Sequence, residues 1–580
     1  MKKTILLAGT ALLLSNVSVA VAATDINGTV FWDKNHNRVQ EKGEPGIPRV
    51  SVSNSREVVQ TDGSGRYTLP AYEEMTVFIS KPAGFAPLVN DRNIPQFFYL
   101  HQPAGSPPEI QQFPGIAPTG PLPDHIDFPL DRVHEADSFK AVFLGDTQVY
   151  NDTELSYFRD TTVREVAASE AVVAVTLGDN IGDNLSLYPR YLSVMKELGI
   201  PYYLVAGNHD MNLDATDDAH SLDTFKSQFG PSYYSFNYGK VHFVVLDSIV
   251  YPSSLSSSYH GEIDETQMQW LINDLRYVPK DHLIVLNMHI PLVSYIDRLA
   301  ANHQVNNREE IYELMAGRRV LSLGGHTHTL EHYLPGDEEE GWGQPTPITQ
   351  IIAGATCGSW WSGDLDGSGV PFSYQRDGAP KGHMYIEFNG SDYVDSFKAS
   401  GLAAERQMNL SFRTGSFLDW YEALVTWQNT DPASRPETPP VTLHDLADQR
   451  VLSADDLSSP DLALVANIWN GSSASQVSCQ YDARTPEPAQ RHNEVADPFA
   501  LRTQAYVYRH VDGFTIWNGS QFGPAAPQPL TPFLQTTGST HVWTCPVPAD
   551  LEPGSHQVTV TAMDIHDNAS LEKLIFEVQE

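Results

Sequence analysis

Five short segments of this sequence place carboxylate, amide and imidazole side chains where they could bind ligands or move protons. In residues 203–210, an apolar run ends at Gly207 and is followed by Asn208, His209 and Asp210. Asn208 offers a neutral oxygen ligand, His209 a proton donor near neutral pH, and Asp210 a carboxylate able to orient that imidazole. Taken alone, the segment is explained at least as well by an Asx-type turn after a buried strand.

The other four segments also follow apolar runs, at positions where strand ends build sites in α/β proteins. Four of the five segments contain glycine at the turn, where the backbone must change direction sharply. The ligand-type residues of these four segments are Asp146 and Gln148; Asp179 and Asp183; His289; and His326 and His328. A lone Gly-Asp pair carries no information, but five such segments in this order indicate a common site.

In this order the segments resemble the motifs of the calcineurin-like metallophosphoesterases: D-x-H, G-D-x-x-D, G-N-H-D/E, a single H, and G-H-x-H. The motifs cover about residues 138–396. Residues 28–44, 229–236 and 354–361 extend the resemblance to a bacterial subgroup with an N-terminal and a C-terminal β-domain. The resemblance implies an α/β fold, a four-layer sandwich of two mixed sheets flanked by helices, with all-β sandwich domains on both sides.

The resemblance also implies two divalent metal ions and assigns them ligands by position. Asp146 and His328 would hold the first metal, Asp179 would bridge both, and the second would be held by Asn208, His289 and His326. A shared carboxylate offsets the repulsion of two cations ~3.5–4 Å apart, and such a pair clamps phosphate oxygens and acidifies a water nucleophile. Imidazole and oxygen donors suit Mn, Fe, Zn or Co.

Two further roles follow from the same motifs. His209 would donate a proton to the leaving group, oriented by Asp210. The family's first motif usually ends in histidine, whereas this chain has Gln148. A neutral amide oxygen is a weaker ligand, so the first metal would be looser or completed by water. Subgroups with glutamine here resemble manganese-dependent ADP-ribose and CDP-alcohol diphosphatases, which favours a phosphodiester or nucleotide-like substrate.

The glycine-rich loop of residues 354–361 follows a predicted strand and contains three further candidate residues. Two of them, Trp360 and Trp361, are adjacent and could stack on a substrate. Packing beneath the C-terminal domain explains them equally well. Cys357 is interpreted as a small buried residue near the site rather than a nucleophile.

The elements that position these residues follow from the hydrophobic pattern. Apolar runs alternate with segments of helical periodicity, which predicts an α/β catalytic domain over residues 138–396. Short alternating segments predict β-sandwich domains on either side. The predicted divisions are a signal peptide 1–22, an N-terminal β-sandwich 23–82, a Pro/Gly-rich connector 83–137, a connector 397–450, and a C-terminal β-sandwich 451–580.

Residues 33–44, from Asp33 to Glu44, carry oxygen side chains at alternate positions, as a calcium loop does. The glycine that such a loop needs at its centre is replaced by Arg38. A calcium site and a plain hairpin with Asx turns are therefore both open.

The chain's start and composition bear on its location. A basic start, a short apolar core and a small-x-small site predict a secretory signal peptide, so we expect a periplasmic or extracellular protein. No later apolar run is long enough to span a membrane. Of three cysteines, Cys479 and Cys545 lie in strand-like segments of one predicted sandwich, which predicts a disulfide between them. The formal charge of −36 argues against a nucleic-acid partner, because the phosphate backbone would be repelled.

The sequence therefore predicts an exported, binuclear metal-dependent hydrolase of small-molecule or headgroup phosphoesters. Two alternatives stay open: a broad phosphomonoesterase, and a non-catalytic surface or adhesive protein whose β-domains bind while the α/β core is a degenerate scaffold. A metal-dependent nuclease is disfavoured by the acidity. The oligomeric state is not indicated.

Overall fold

The computed structural model describes residues 25–579 apart from 111, 338–341, 343–347, 364, 432, 437, 443, 444, 447, 494, 508–514, 518–521 and 525–536. The expected signal peptide, residues 1–22, lies outside the described residues. Among those that are described, no helix is both long and apolar enough to cross a membrane.

The N-terminal domain consists of two four-stranded sheets, with strand orders β4-β1-β8-β6 and β3-β2-β5-β7 in the described residues. Its strands are β1 Asp25–Trp32, β2 Ser51–Ser53, β3 Val58–Gln60, β4 Arg66–Pro70, β5 Met75–Ile79, β6 Phe85–Pro87, β7 Phe98–His101 and β8 Phe128–Arg132.

The stretch 83–137, predicted as a connector, supplies three of these strands, so that prediction was wrong. β8 pairs in parallel with β1, and β7 pairs antiparallel with β5. Strands of three to five residues among prolines are too short to show a period of two, and their partners lie far away in the sequence. Local pattern therefore could not reveal them.

The hydrogen bonds of residues 33–44 follow the Asx-turn alternative. Asp33 Oδ2 accepts the backbone N–H of Arg38 at 2.8 Å, and the two Glu44 oxygens accept those of Lys34 and Glu41 at 2.9 Å each. Backbone N–H groups thus satisfy carboxylate oxygens that a calcium ion would use. The calcium site stays a prediction.

The central domain is built on two mixed sheets, of order β11-β10-β9-β20-β21 and β12-β13-β16-β17-β19-β18 in the described part of the chain. Its elements are β9 Ser138–Leu144, α1 Asp152–Phe158, α2 Arg164–Ala167, β10 Ala171–Thr176, α3 Tyr188–Met195, β11 Tyr202–Tyr203, α4 Asp223–Phe229, β12 Tyr234–Tyr238, β13 Val241–Val245, β14 Ile249–Val250, β15 His260–Gly261, α5 Glu265–Leu275, β16 Leu283–Asn287, α6 Arg308–Leu314, β17 Arg319–Gly324, β18 Leu330–Tyr333, β19 Ile348–Ala353, β20 Gly382–Asn389 and β21 Asp392–Ala399.

The two sheets pack face to face with helices outside, which confirms the predicted four-layer arrangement. One buried cluster joins the facing sides, for example Phe143 of the first sheet with Phe243 of the second, and includes Trp270 of the outer helix α5. A second cluster joins the other side of the first sheet to α1 and α3. β16 has no exposed residue, as expected for a parallel strand covered on both faces.

The C-terminal domain has two principal sheets in the described residues, of order β22-β24-β30-β27 and β23-β32-β31-β25-β26. Its elements are β22 Met408–Arg413, α7 Gly415–Asn429, β23 Val451–Leu452, α8 Ala454–Ser458, β24 Ala463–Ile468, β25 Gln476–Tyr481, β26 Glu487–Pro488, β27 Gln490–His492, α9 Pro498–Val507, β28 Thr515–Trp517, β29 Phe522–Pro524, β30 Val542–Cys545, β31 Gly554–Met563 and β32 Ala569–Val578.

The predicted connector 397–450 is also corrected. It contains β22, which pairs antiparallel with β24 along its whole length, and α7, whose Phe417 and Trp420 are buried in a small cluster of their own. Residue-level pattern did not separate these elements from a linker, because β22 finds its partner only about 50 residues later in the chain.

A buried carboxylate ties the C-terminal domain to the central one. Asp395 of β21 is 1% exposed and accepts hydrogen bonds from His566 Nε2 and Asn470 Nδ2, both at 2.8 Å. His332 Nε2 lies 3.5 Å from its second oxygen. Although burial alone would raise it, the pKa of Asp395 is held at about 2 by His332 and His566. This group fixes the two domains against each other.

The structure confirms the disulfide between Cys479 of β25 and Cys545 of β30, across the two sheets of the C-terminal sandwich. The bond closes a loop of 66 residues. Cys357 is the remaining cysteine, and it is buried and unbridged.

We predict that thiol titration of the unfolded, unreduced protein counts one free cysteine. Replacing both Cys479 and Cys545 by serine should lower the free energy of unfolding by ~4 kcal/mol, because the unfolded chain regains its loop freedom. Denaturant unfolding monitored within the C-terminal domain checks the value, with Cys357→Ser as the matched control. Three free thiols in the unreduced protein would contradict the bridge.

Candidate metal centre

The ends of five parallel strands meet where the two central sheets face each other. β9, β10 and β11 run parallel in the first sheet, and β16 and β17 run parallel in the second. Because carboxyl ends of parallel strands lie at one edge, the turns after them converge. Those turns carry Asp146, Asp179, Asn208, His289 and His326.

The backbone at these turns adopts a conformation that L-residues avoid. Five of the predicted metal ligands have left-handed φ angles: 41° at Asp146, 35° at Gln148, 47° at Asp179, 74° at His326 and 54° at His328. Each costs of the order of 1–2 kcal/mol relative to the right-handed form. Such a concentration of strain at one place is a mark of a functional site, where the surrounding structure holds side chains in fixed directions.

Two glycines allow the turns to approach this closely. Gly178 has φ 90°, and a side chain there would collide with the ring of His289. A side chain at Gly207 would collide with Asp179. These glycines are therefore required by contact between the motifs, not only by the sharpness of the turns.

Three ligand-type atoms converge on His289 Nε2, which is itself the fourth. Its Nε2 lies 3.2 Å from Asp179 Oδ2, 3.0 Å from Asn208 Oδ1 and 3.2 Å from His326 Nδ1. Asp179, His289 and His326 are also the residues whose ligand atoms could hold one ion together. The set is the one predicted for the second metal.

The residues predicted for the first metal lie beside this group. His328 Nε2 is 3.5 Å from Asp146 Oδ1, and Asp146 accepts the backbone N–H of His326 with both oxygens, at 3.1 and 2.9 Å. Gln148 is buried, and its oxygen accepts from Cys357 Sγ at 3.7 Å while its Nε2 donates to Tyr150 Oη at 3.1 Å. Cys357 is thus a buried neighbour of the site, as interpreted. Direct ligation by Gln148 stays a prediction.

Each imidazole of the group turns its other nitrogen to a backbone carbonyl. His289 Nδ1 donates to Leu177 O at 2.8 Å, His326 Nε2 to Asn302 O at 2.8 Å, and His328 Nδ1 to Gly358 O at 2.5 Å. Since a carbonyl only accepts, the imidazole proton belongs on that outer nitrogen. The inner nitrogens are left with lone pairs, which is how proteins orient metal-binding histidines.

When both imidazoles are neutral, the inward-facing atoms are all acceptors. Two imidazole lone pairs, a carboxylate oxygen and an amide oxygen, three of them 3.0–3.2 Å from His289 Nε2, then repel one another unless a cation or a proton lies among them. This donor set fits a divalent transition metal.

The pKa values of Asp179, His289 and His326 agree with a site that requires a positive charge. Although burial alone would raise it, the pKa of Asp179 is held below its ordinary value by His289 and His209. Burial would lower the pKa of His289, but Asp179 and Asp146 raise it to about 9. Burial together with His289 and His303 lowers the pKa of His326. Without a metal, one proton on His289 thus supplies the positive charge that the oxygens attract.

His209 lies next to this group and is oriented by a residue other than the one predicted. Its Nδ1 donates to Asp183 Oδ1 at 2.7 Å, and its Nε2 is 4.0 Å from Asp179 Oδ2. Its backbone N–H donates to Asp179 Oδ1 at 2.8 Å. Burial alone would lower the pKa of His209, but Asp179 and Asp183 raise it to about 8.

The predicted orienting role of Asp210 is therefore corrected. Asp210 is fully buried and accepts from Gly207 N at 2.8 Å, from Asn180 N at 3.1 Å and from Tyr188 Oη at 2.9 Å. These hydrogen bonds stabilise the turn from its buried side. Consecutive side chains point in different directions, so His209 faces the cleft and Asp210 does not. Burial and the neighbouring Asp179 raise its pKa to about 6.

The two tryptophans have different positions. Trp361 is 5% exposed, its Nε1 donates to Thr147 O at 3.1 Å, and its ring packs against Tyr157. These contacts follow the packing alternative, within the central domain rather than beneath the C-terminal one, and its substrate contact stays a prediction. Trp360 is half-buried with its ring centroid 5.1 Å from that of His328, which leaves its predicted substrate contact open.

Asp183 and Asn302 are site residues to which the sequence assigned no role. Asp183 was visible as the second carboxylate of its segment, four positions after Asp179. Asn302 contributes only a backbone oxygen, and no side-chain pattern could indicate it.

Comparison with known proteins gives matches along most of the chain. Three family models match in order: "N terminal of Calcineurin-like phosphoesterase" at residues 33–114, "Calcineurin-like phosphoesterase" at 139–330 and "C terminal of Calcineurin-like phosphoesterase" at 351–569.

Individual relatives are more distant. The chain is 26% identical over 226 residues to a "Probable cyclic nucleotide phosphodiesterase" of Psychrobacter arcticus, a match that covers 35% of this chain and 78% of that protein. It is 32% identical over 139 residues to the "Serine/threonine-protein phosphatase CPPED1" of Homo sapiens, covering 22% of this chain and 42% of that one. A dimetal phosphatase structure from Danio rerio aligns over 44% of this chain and 98% of its own at 12% identity, with a TM-score of 0.29.

We predict that in the metal-free protein His209 titrates at about pH 8, and that Asp183→Asn lowers this value. The pKa of His209 in the folded protein lies above the ordinary value of ~6.5, so protonation of the ring stabilises the fold. This contribution is complete below pH ~6.5 and is lost as the pH rises through 8. Histidine NMR titration measures the pKa. Asp210→Asn is the control; a shift with Asp210→Asn and none with Asp183→Asn would restore the original assignment.

Proposed function

The chain belongs to the calcineurin-like phosphoesterase family and is a phosphoric ester hydrolase, and from this premise we propose a binuclear enzyme that cleaves phosphodiester or nucleotide-like substrates. The single observation that carries the binuclear proposal is the convergence of ligand atoms from Asp179, Asn208, His289 and His326 beside the pair of Asp146 and His328. Two neighbouring groups of ligand atoms are suited to two ions, and Asp179 is the carboxylate proposed to bridge them.

Bound divalent ions would supply positive charge for the phosphoryl oxygens and lower the pKa of a water. The chain's own residues supply the rest. Asn208 is adjacent to His209 in the chain. An ion held by the Asn208 amide oxygen, and the phosphoryl group on it, would therefore lie at a fixed distance from the His209 imidazole. Asp183 orients the His209 ring and favours its protonated form. His209 then donates its proton to the leaving-group oxygen.

The diester preference rests on two supports. Gln148 stands where the family usually has histidine, as in the glutamine-containing diphosphatase subgroup. One relative of this chain is named a probable cyclic nucleotide phosphodiesterase. The relative named a protein phosphatase keeps a monoester substrate as the alternative.

We propose manganese as a preferred ion and export as the protein's fate. The glutamine subgroup supports manganese. Export is supported by the basic and apolar start of the sequence, and by the disulfide between Cys479 and Cys545, because such bonds persist in oxidising compartments.

A hydrolysis assay separates these proposals from their rivals. The purified protein, treated with EDTA, should regain hydrolysis of bis-nitrophenyl phosphate on addition of manganese and should cleave nitrophenyl phosphate more slowly. Faster monoester hydrolysis would favour the phosphomonoesterase. Absence of hydrolysis with Mn, Fe, Zn and Co would support the binding protein on a degenerate scaffold.

We predict that Asp179→Asn loses both metal ions and nearly all activity, because the bridging carboxylate is removed from two sites at once. Elemental analysis of the purified variant measures occupancy. Asp217→Asn, which removes an exposed carboxylate on a nearby loop, is the control and should keep both ions. Full occupancy in the Asp179 variant would exclude the bridging role.

We also predict that His209→Asn keeps its metals but loses rate according to the leaving group. A general acid contributes ~10²–10⁴-fold where the leaving group is poor. The loss should be large on an alkyl ester and small on a nitrophenyl ester, whose leaving group needs no proton. Asp183→Asn should repeat this pattern more mildly. Equal losses on both esters would mean that His209 binds the phosphoryl group instead.

A further inference from the structure

A cavity of about 350 Å³ lies between the central domain and the C-terminal domain. Its walls include Tyr295, His303 and Arg376 from the former and Thr537 from the latter. The two sides are joined directly, because Thr537 N donates to Arg376 O at 3.0 Å and Tyr295 Oη lies 3.3 Å from Thr537 Oγ1. A cavity of this volume is in the size range of small-molecule sites.

The cavity adjoins the metal centre on two sides. The ring centroid of His303 lies 5.5 Å from that of His326, and the neighbouring Asn302 O accepts from His326 Nε2. On the other side, Arg376 N donates to His328 O at 3.1 Å. A substrate whose phosphoester group lies at the metal centre has this cavity as an adjacent space.

Arg376 has no direct anionic partner in this cavity. Its Nε is buried and has no hydrogen-bond partner in the described part of the chain, and its side chain makes no ion pair with any described residue. Burial lowers its pKa, which Glu331 and Asp377 raise in part from a distance, and a guanidinium stays protonated at any physiological pH. Leaving a largely buried guanidinium without a hydrogen-bonded anion is costly.

The carboxylates around Arg376 do not pair with it. Asp297 lines the cavity and is exposed at its edge. Two buried carboxylates attract the Arg376 charge, and both accept hydrogen bonds from other groups: Glu331 from Ser294, Tyr295, Thr329 and Tyr333, and Asp377 from Leu330, Ala379 and His541.

Scarcity of acidic residues does not explain the missing partner. The chain has 72 acidic residues for 36 basic ones, so most arginines can find a carboxylate. An arginine that is mostly buried and left unpaired in so acidic a protein indicates that its anion comes from outside the chain.

We propose that the cavity is a subsite for a second anionic group of the substrate, a phosphate or carboxylate that is bound by Arg376. The inference rests on the proposed function, because it requires the scissile phosphoester group to lie at the metal centre. The guanidinium offers paired N–H donors that match the two oxygens of such a group. The Tyr295 and Thr537 hydroxyls and the His303 ring are further polar groups on the walls.

The first test is kinetic and uses a matched pair of substrates. Both substrates are phosphodiesters of nitrophenol and a second alcohol. The far end of that second alcohol carries a phosphate group in one substrate and a hydroxyl group in the other. The wild-type protein should prefer the phosphate-ended substrate, and Arg376→Gln should reduce the ratio of the two kcat/KM values at least ten-fold. Arg376→Lys keeps the charge but loses the paired donors, so it should retain part of the preference.

The second test does not depend on activity. Inorganic phosphate is titrated calorimetrically into the full-length chain after EDTA treatment, so that phosphate has no metal to bind. The wild type should bind it and Arg376→Gln should bind it at least ten-fold more weakly. Arg298→Gln removes the same charge from an exposed position of the neighbouring loop, and it controls for a general electrostatic effect in both tests.

The outcomes are distinguishable. If Arg376→Gln leaves the substrate ratio unchanged, the subsite is excluded, even if phosphate binding falls, because the anion would then not belong to the substrate. An Arg298→Gln effect as large as that of Arg376→Gln would also overturn the assignment. If no phosphoester is hydrolysed but phosphate binding depends on Arg376, the proposed function fails while the anion site stands. If Arg376→Gln does not fold, the Arg376→Lys variant decides. An unchanged ratio of the two kcat/KM values in Arg376→Lys, together with unchanged phosphate affinity, would contradict the proposal that the paired donors of Arg376 bind the anion.

Discussion

The need for a positive charge among four closely spaced ligand atoms at the metal centre is the constraint on which the rest of the central domain depends. Asp179 Oδ2, Asn208 Oδ1 and His326 Nδ1 surround His289 Nε2 at 3.0–3.2 Å. Such an arrangement persists only if each side chain is held from behind. Backbone carbonyls hold the imidazoles, strained left-handed turns aim the ligands, and glycines let the turns touch. The buried faces of the two sheets then supply the stability that offsets these local costs.

This dependence explains why the sequence predicted so much of the site. Each ligand follows a buried strand, so its position was fixed by an apolar run and a glycine, both of which are local patterns. The family, the four-layer fold and the Cys479–Cys545 bridge are confirmed. The structure brings the predicted ligands together, and their binding of two metals stays a prediction because ion number is not a property of local pattern.

The failures concern contacts between distant parts of the chain. Asp210 is adjacent to His209 in sequence, and adjacency made it the natural partner. The backbone turn instead sends the Asp210 side chain downward and leaves the imidazole to Asp183, 26 residues earlier. The strands β6, β7, β8 and β22 were missed for the same reason, since each is defined by its partner in a sheet and not by its own short pattern. The sequence also could not tell the two adjacent tryptophans apart, whereas in the structure Trp361 is buried against Tyr157 and the Trp360 ring lies beside that of His328.

The C-terminal domain is held against the central domain by contacts that a flexibly attached binding module would not need. Asp395 is paired with His566 across the interface, and Asp377, next to Arg376, is paired with His541 at 3.0 Å. Both carboxylates are fully buried, so the two domains meet through hydrogen-bonded charges whose geometry must be fixed to compensate their burial. An interface of this kind keeps the wall formed by Thr537 at a fixed distance from His328 and the metal centre. The C-terminal β-domain is therefore best understood as part of the site's architecture, which is the physical argument against a protein whose β-domains act alone.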